Sequence, residues 1–230
     1  VTVNAANGSP TLALNDGGIA SYVGGSGSSA LVFSYVVTPG QNTPDLAISS
    51  VILNGATIQD GLGNNADLSG AVNYNPTGTL QIDTVAPIAP MGLSLDATTD
   101  SGTKGDGITN LTQVKIDGTA EPGSTVTLYD SNGTTVLGTG IADATTGTFA
   151  IVTTALANGL HSITAQATDA AGNTGTASVA YAVTIDTIAP AAPASLALDP
   201  ATDSGTKGDG ITNFTQVKID GTAEPGSSVT

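Results

Sequence analysis

Along short stretches of this chain apolar and polar residues alternate with period two, and the spacing of an amphipathic helix is nearly absent. In the stretch 161–168, Ile163, Ala165 and Ala167 alternate with Thr164, Gln166 and Thr168, which predicts a strand with one apolar face. The same reading predicts strands over 30–37, 114–119, 124–129, 148–153 and 177–185, with Leu93 and Leu95 marking another. Asn54-Gly55, Pro122-Gly123, Asn132-Gly133 and Asn158-Gly159 punctuate these runs as turns. Strands at intervals of about eight to twelve residues predict an all-β sandwich.

The chain also repeats itself. Residues 83–127 return 103 positions later as residues 186–230, with exchanges such as Val85/Ile188, Leu111/Phe214 and Thr125/Ser228. A period of about one hundred residues is the size of a whole small domain, too long for a solenoid unit. The expected organisation is therefore a string of tandem modules. Residues 1–4 read as the end of a preceding module or as a lead-in strand, and 5–82 as a shorter module closing on a strand with Leu80 and Ile82. Residues 83–185 form a complete module and 186–230 the first part of a third, so the chain reads as an excerpt. The segments joining modules, DTVAPIAP and DTIAPAAP, carry two prolines each, which fix φ and favour extended neighbours. Short, stiff connections and a rod-like array are expected.

Composition narrows the chemistry. There are seventeen Asp, two Glu, four Lys and no Arg, for a net charge of −15. Nothing in such a chain neutralises phosphates, which argues against nucleic acid and against anionic membrane surfaces. Cysteine is absent, which excludes disulfides and thiol chemistry, and no membrane-inserting segment is visible. A chain this acidic tolerates its charge best by binding cations.

Three groups of oxygen ligands are candidates. One is the loop DSGTKGDGITN, with Asp100, Asp106 and Asn110 and its copy with Asp203, Asp209 and Asn213. Another is D-x-x-G-N, found as Asp60/Asn64 and as Asp169/Asn173; the third is the linker aspartate, Asp83 or Asp186. In a seven-strand sandwich the first loop joins strands A and B at the far end of the module, where the last strand also leaves. The D-x-x-G-N turn joins the last two strands at the near end. Each junction thus gathers the A–B loop of one module, the linker aspartate and the D-x-x-G-N turn of the next. Carboxylates gathered without Lys or Arg repel, and Ca²⁺, which takes six to eight oxygen ligands in adaptable geometry, relieves this. Zinc is disfavoured with no Cys and a single His, and Mg²⁺ suits a loop-built cage less well. The alternative is that Asp, Asn, Ser and Gly serve here as ordinary turn formers. Asn15 and Asp16 stand where the shorter module lacks the DSGTKGDGITN loop, and GGSGSS at 24–29 reads as a plain glycine-rich turn.

The linker DTxAPxAP, the loop DSGxxGDxITN, the stretch VKIDGTAEPGSTVTLYD and the closing TAQATDAAGNTG resemble the bacterial Ig-like domains of giant repetitive surface adhesins. The resemblance is close over 83–230, and residues 5–82 look like a companion module. It implies Ig-like β-sandwiches in a linear rod, secreted to the bacterial cell surface, rigidified by calcium and serving adhesion or biofilm formation. Its partners would be neighbouring modules of the same chain and, in a filament or biofilm matrix, copies of itself.

Catalysis is not expected. His161 is the sole imidazole and is assigned a capping or packing role, and no nucleophile elbow or phosphate-binding loop is present. A glycan- or protein-binding module is the alternative, weakened by the lack of Trp and by near-identical copies, since a ligand site should break the repeat. A filament or layer completed by strand pairing between chains is the third reading.

Overall fold

The computed structural model describes residues 1–230, and its only helix is a single 3-10 turn at Ser69–Ala71. No helix is long and apolar enough to cross a membrane. The chain is all-β, in several sheets.

The first six strands are β1 (Thr2–Asn4), β2 (Thr11–Leu14), β3 (Ile19–Gly24), β4 (Val32–Ser34), β5 (Ile48–Ile52) and β6 (Thr57–Gln59). They form a four-stranded sheet in the order β4-β3-β2-β5 and a two-stranded sheet in which β1 pairs antiparallel with β6. The GGSGSS turn docks β1, because Ser26 Oγ accepts from Val3 N and Tyr22 Oη accepts from Ser26 N, each at 2.9 Å. The strand expected around Leu80 and Ile82 does not form. Ile82 bridges Thr43, but the next bonded pair of the ladder, Asp45 with Leu80, is diverted: Asp45 N turns to Thr43 Oγ1 and Leu46 N takes the Leu80 carbonyl. Asp45 holds the stretch instead, its carboxylate accepting from Leu80 N at 3.0 Å and Asn75 Nδ2 at 2.7 Å.

Residues 91–185 supply β7 (Met91–Leu95), β8 (Ile108–Thr109), β9 (Lys115–Thr119), β10 (Thr125–Tyr129), β11 (Val136–Ile141), β12 (Thr148–Val152), β13 (Gly159–Thr168) and β14 (Tyr181–Ile185). One sheet runs β11-β10-β13-β14-β8 and the other β12-β9-β7. Between them lies a cluster of 14 buried residues, with Ile116, Val126, Leu128, Ile163, Ala165 and Val183 wholly enclosed. Alternation along β13 puts Ile163, Ala165 and Ala167 inside, as the pattern requires. With almost no aromatics, Phe149 packs over Gly118, where an added Cβ would lie 2.5 Å from the ring.

Eight strands replace the seven expected. β11 escapes a pattern search because Gly138 and Gly140 interrupt its apolar run. Both glycines lie beneath Ile151, and a Cβ on either would come within 3 Å of it. β8 is hidden inside DSGTKGDGITN and pairs parallel with β14, Ile108 with Thr184 and Thr109 with Ile185. The last strand is shorter than 177–185 because Ser178 Oγ takes the Ala165 amide at 2.9 Å in place of a ladder partner.

The repeat reproduces the β7–β9 pairing of its first copy, without a counterpart of β8. β15 (Ala194–Leu198) pairs with β16 (Ile219–Thr222) in the register of β7 with β9, down to a bulge at the same place. Gly92 sits in that bulge at φ 65° and its counterpart Ser195 at φ 55°, a conformation costly for a residue with a Cβ.

Truncating Leu128 to Ala empties a site with no exposed surface at the centre of the 14-residue cluster. It should lower unfolding free energy by about 2–5 kcal/mol in chemical denaturation, with little effect on the transition of residues 1–82.

Candidate metal-binding junctions

The DSGTKGDGITN loop leaves β7, crosses to the opposite sheet and enters β8, so it is a crossover and not a simple A–B connection. Parallel pairing with β14 carries it to the end where the chain exits, and Asp186 N donates to Thr109 O at 2.9 Å. Asn110 therefore sits beside the linker aspartate, as the topology argument required. Inside the loop Asp100 is buried, 2% exposed, and its Oδ2 accepts from Gly105 N at 2.6 Å. Its Oδ1 has no partner. Thr109 Oγ1 donates to Thr99 O at 2.7 Å and Asn110 N to Ser101 Oγ at 2.9 Å, closing the loop on itself. Asp106 is exposed and accepts from Ile108 N at 2.9 Å.

The copy reproduces this arrangement. Asp203 is 1% exposed, Gly208 N donates to its Oδ2 at 2.6 Å, and its Oδ1 is again unpartnered. Asp209 accepts from Ile211 N and Asn213 N donates to Ser204 Oγ, both at 2.9 Å.

One expectation needs correcting: the acidic loops are not free of lysine. Lys104 Nζ donates to Ala97 O at 3.0 Å and to Asp100 O, and Lys207 Nζ does the same with Pro200 O at 2.9 Å and Asp203 O. Each loop thus carries its own ammonium group, spent on main-chain carbonyls and not on a carboxylate.

Of the D-x-x-G-N turns, Asp169/Asn173 lies where the sequence puts it, between β13 and β14, whereas Asp60/Asn64 follows β6 with no further strand of its module after it. Asp169 Oδ1 accepts from Ala171 N and Asn173 N at 2.9 Å, and Oδ2 from Asn173 Nδ2 at 2.8 Å. Asp60 is bound identically by Leu62 N, Asn64 N and Asn64 Nδ2 at 2.8–2.9 Å. Hydrogen bonds from the asparagine side chain, and then from backbone amides, hold both carboxyls below the usual carboxylate range. The Asp60 turn is exposed and stands apart from the linkers; the Asp169 turn meets one, with Asn173 Nδ2 donating to Asp83 O at 3.2 Å.

Asp83 and Asp186 open their linkers in the same way, accepting from Val85 N and Ile188 N at 3.0 Å through Oδ1. A second contact recurs at both junctions, made by Asn158, which the sequence marks only as a turn residue, and by Asn42, which it does not mark at all. Asn42 Oδ1 accepts from Thr84 N at 2.7 Å and Thr84 Oγ1 at 3.2 Å. Asn158 Oδ1 accepts from Thr187 N at 3.2 Å and Thr187 Oγ1 at 2.9 Å. Asn42 and Asn158 belong to unrelated stretches, so no repeat search finds them. The signal available was only a fixed Asp-Thr after each module.

Asn15 and Asp16 are absorbed by their own module. Asn15 bridges Thr43, Asp45 and Ala47, while Asp16 accepts from Gly18 N and from Tyr35 Oη. Burial, with the Asp16 carboxylate, pushes the Tyr35 phenol up to about 12. Tyr35 Oη also lies 2.8 Å from Gln41 Oε1, next to the Asn42 clasp.

The first junction therefore joins Asp83 to the Asp169 turn, and the second joins Asp186 to the Asp100 loop. No three acidic or imidazole side chains are close enough to share an ion. Calcium here would need carbonyl and asparagine oxygens as well. The feature that fits a cation is the orphaned, buried oxygen of Asp100, repeated at Asp203.

The first linker is packed down. Pro87 and Pro90 are buried, and a Cβ on Gly175 would lie 2.2 Å from Pro87 O. Asn42→Ala or Gly175→Ala should speed hydrogen exchange at the Thr84 and Val85 amides, the first by removing a bond worth about 1 kcal/mol. The Ile163 amide in the core serves as the unaffected control.

Residues 87–187 match the family model of the bacterial Ig-like domain. Among solved structures, the chain is similar to the BSP domain of a biofilm associated protein, at 21% identity over 79% of this chain and 26% of that one, with a TM-score of 0.32. It is also similar to a structure described as an insight into host cell surface retention of a 1.5-MDa bacterial ice-binding adhesin, at 21% identity over 78% of this chain and 59% of that one, TM-score 0.30. No curated protein matches the chain.

Proposed function

With residues 87–187 forming a bacterial Ig-like domain, we propose that the chain is a stalk segment of an extracellular bacterial surface adhesin. Its sandwiches stand in series and hold an adhesive region away from the cell, in cell adhesion or biofilm formation. Its role is mechanical, not catalytic. The observation that carries this reading is that both linkers are fastened by the same contacts, an Asp turn followed by an Asn clasp on Thr84 and on Thr187. A chain whose modules acted independently would have no use for two such fastenings.

Calcium completes the proposal. Ca²⁺ is taken up at separate places: by the Asp100 loop with Asp186 and carbonyl oxygens at the second junction, by Asp83 with the Asp169 turn at the first, and by the Asp203 loop, which repeats that of Asp100. Bound calcium supplies the positive charge that a chain of net charge −15 otherwise lacks.

Thermal unfolding in chelator, in millimolar Ca²⁺ and in millimolar Mg²⁺ tests this. A Ca²⁺-specific rise in Tm is expected, half-complete at about 10⁻⁴–10⁻³ M and lost in Asp100→Asn and Asp169→Ala. An unchanged Tm would make the acidic loops ordinary turns.

A further inference from the structure

His161 lies at the start of β13, and both of its ring nitrogens face acceptors. Nδ1 is 3.0 and 3.1 Å from the two oxygens of Asp130, and Nε2 is 3.0 Å from Ala157 O. A neutral imidazole has one N–H, so only the imidazolium donates to both. Its side chain is 12% exposed and that of Asp130 is 21%, which limits the water that could replace either bond. The Ala157 carbonyl belongs to the peptide that leads into Asn158. That residue clasps the second linker at Thr187.

We propose that His161 is a proton-operated brace on the second junction. With both nitrogens protonated, the ring ties Asp130 to Ala157 and fixes Asn158 beneath Thr187. Loss of a proton leaves the remaining N–H on the Asp130 carboxylate, the stronger acceptor, and turns the Nε2 lone pair toward the Ala157 oxygen. The peptide then moves away and the clasp loosens.

Asp130, from the turn between β10 and β11, is the only charged group paired with the ring. The loop 153–158 carries no ionisable side chain. The flanking strands contribute the phenols of Tyr129 and Tyr181, which pair with Thr164 and Ile163 and make no hydrogen bond to the ring. Partial burial pushes the imidazole down, but the Ala157 carbonyl and the Asp130 carboxylate outweigh it and hold His161 above its ordinary 6.5. A raised folded-state pKa gives a stabilisation that is complete below 6.5 and is lost as pH rises through the folded value. The junction is therefore firmer in mildly acidic surroundings and looser in alkaline ones.

Nuclear magnetic resonance on the 230-residue chain between pH 5 and 9 tests the brace. The His161 ring should titrate above 6.5, and the Thr187 amide shift should follow with the same midpoint. In Asp130→Asn both midpoints should fall together. In Asn158→Ala the ring midpoint should stay while the Thr187 response disappears. A ring that titrates at or below 6.5 would overturn the proposal. So would a Thr187 amide that stays flat while the ring titrates, since a merely structural histidine would behave that way.

Discussion

The sandwiches can be arranged in series only as firmly as the chain is held where it leaves each one, at Asp83-Thr84 and at Asp186-Thr187. A linker of this length has many free backbone donors, and prolines alone fix φ without fixing direction. What fixes direction here is hydrogen bonding from the module just completed, through Asn42 or Asn158, and from the linker aspartate to its own backbone. At the first junction the following module adds Asn173 on the Asp83 carbonyl and the close approach of Gly175 to Pro87. That cover comes from the β13–β14 turn. The second linker has no counterpart to it within the 230 residues, and Pro190 and Pro193 are accordingly exposed.

The pairing of β8 with β14 is the other half of the arrangement. By binding parallel to the last strand, β8 brings the crossover loop to the exit and gives Asp186 N an acceptor on Thr109. The loop keeps its shape through its own contacts: a buried aspartate bound to Gly105 N, a lysine on two carbonyls, a threonine on Thr99 O. These contacts recur in residues 199–213, between β15 and β16. The same set of internal contacts thus holds the loop in both copies. Nearly every acidic side chain in these loops accepts backbone amides, which is how so much negative charge is accommodated without arginine. The buried carboxylate oxygens left without a partner are the Oδ1 atoms of Asp100 and Asp203.

The all-β architecture was legible because alternation of period two needs only the identity of each residue. Most strands of residues 91–185 could be placed that way. β11 could not, since its glycines matter for the space they leave under Ile151, a fact of packing between sheets. β8 could not, since two residues carry no periodicity. The failed strand at Leu80–Ile82 turned on Asp45 of the partner stretch, whose amide and carboxylate leave the ladder for side-chain contacts. The site divided in the same way. Asp83, Asp169 and Asn173 were placed together by topology alone, as were Asp186 and Asn110. The role of Lys104 and the clasps of Asn42 and Asn158 depend on side-chain direction, which spacing along the chain does not carry.

The central claim is that both linkers are held as parts of the structure and do not swing freely. Backbone ¹⁵N relaxation of the intact chain tests it most directly, comparing amides of residues 83–92 and 186–195 with those of β13. The account predicts heteronuclear NOE values in the linkers close to those of the strand, with the first linker at least as rigid as the second. Linker values typical of a flexible tether would contradict it, however well the sandwiches themselves are ordered.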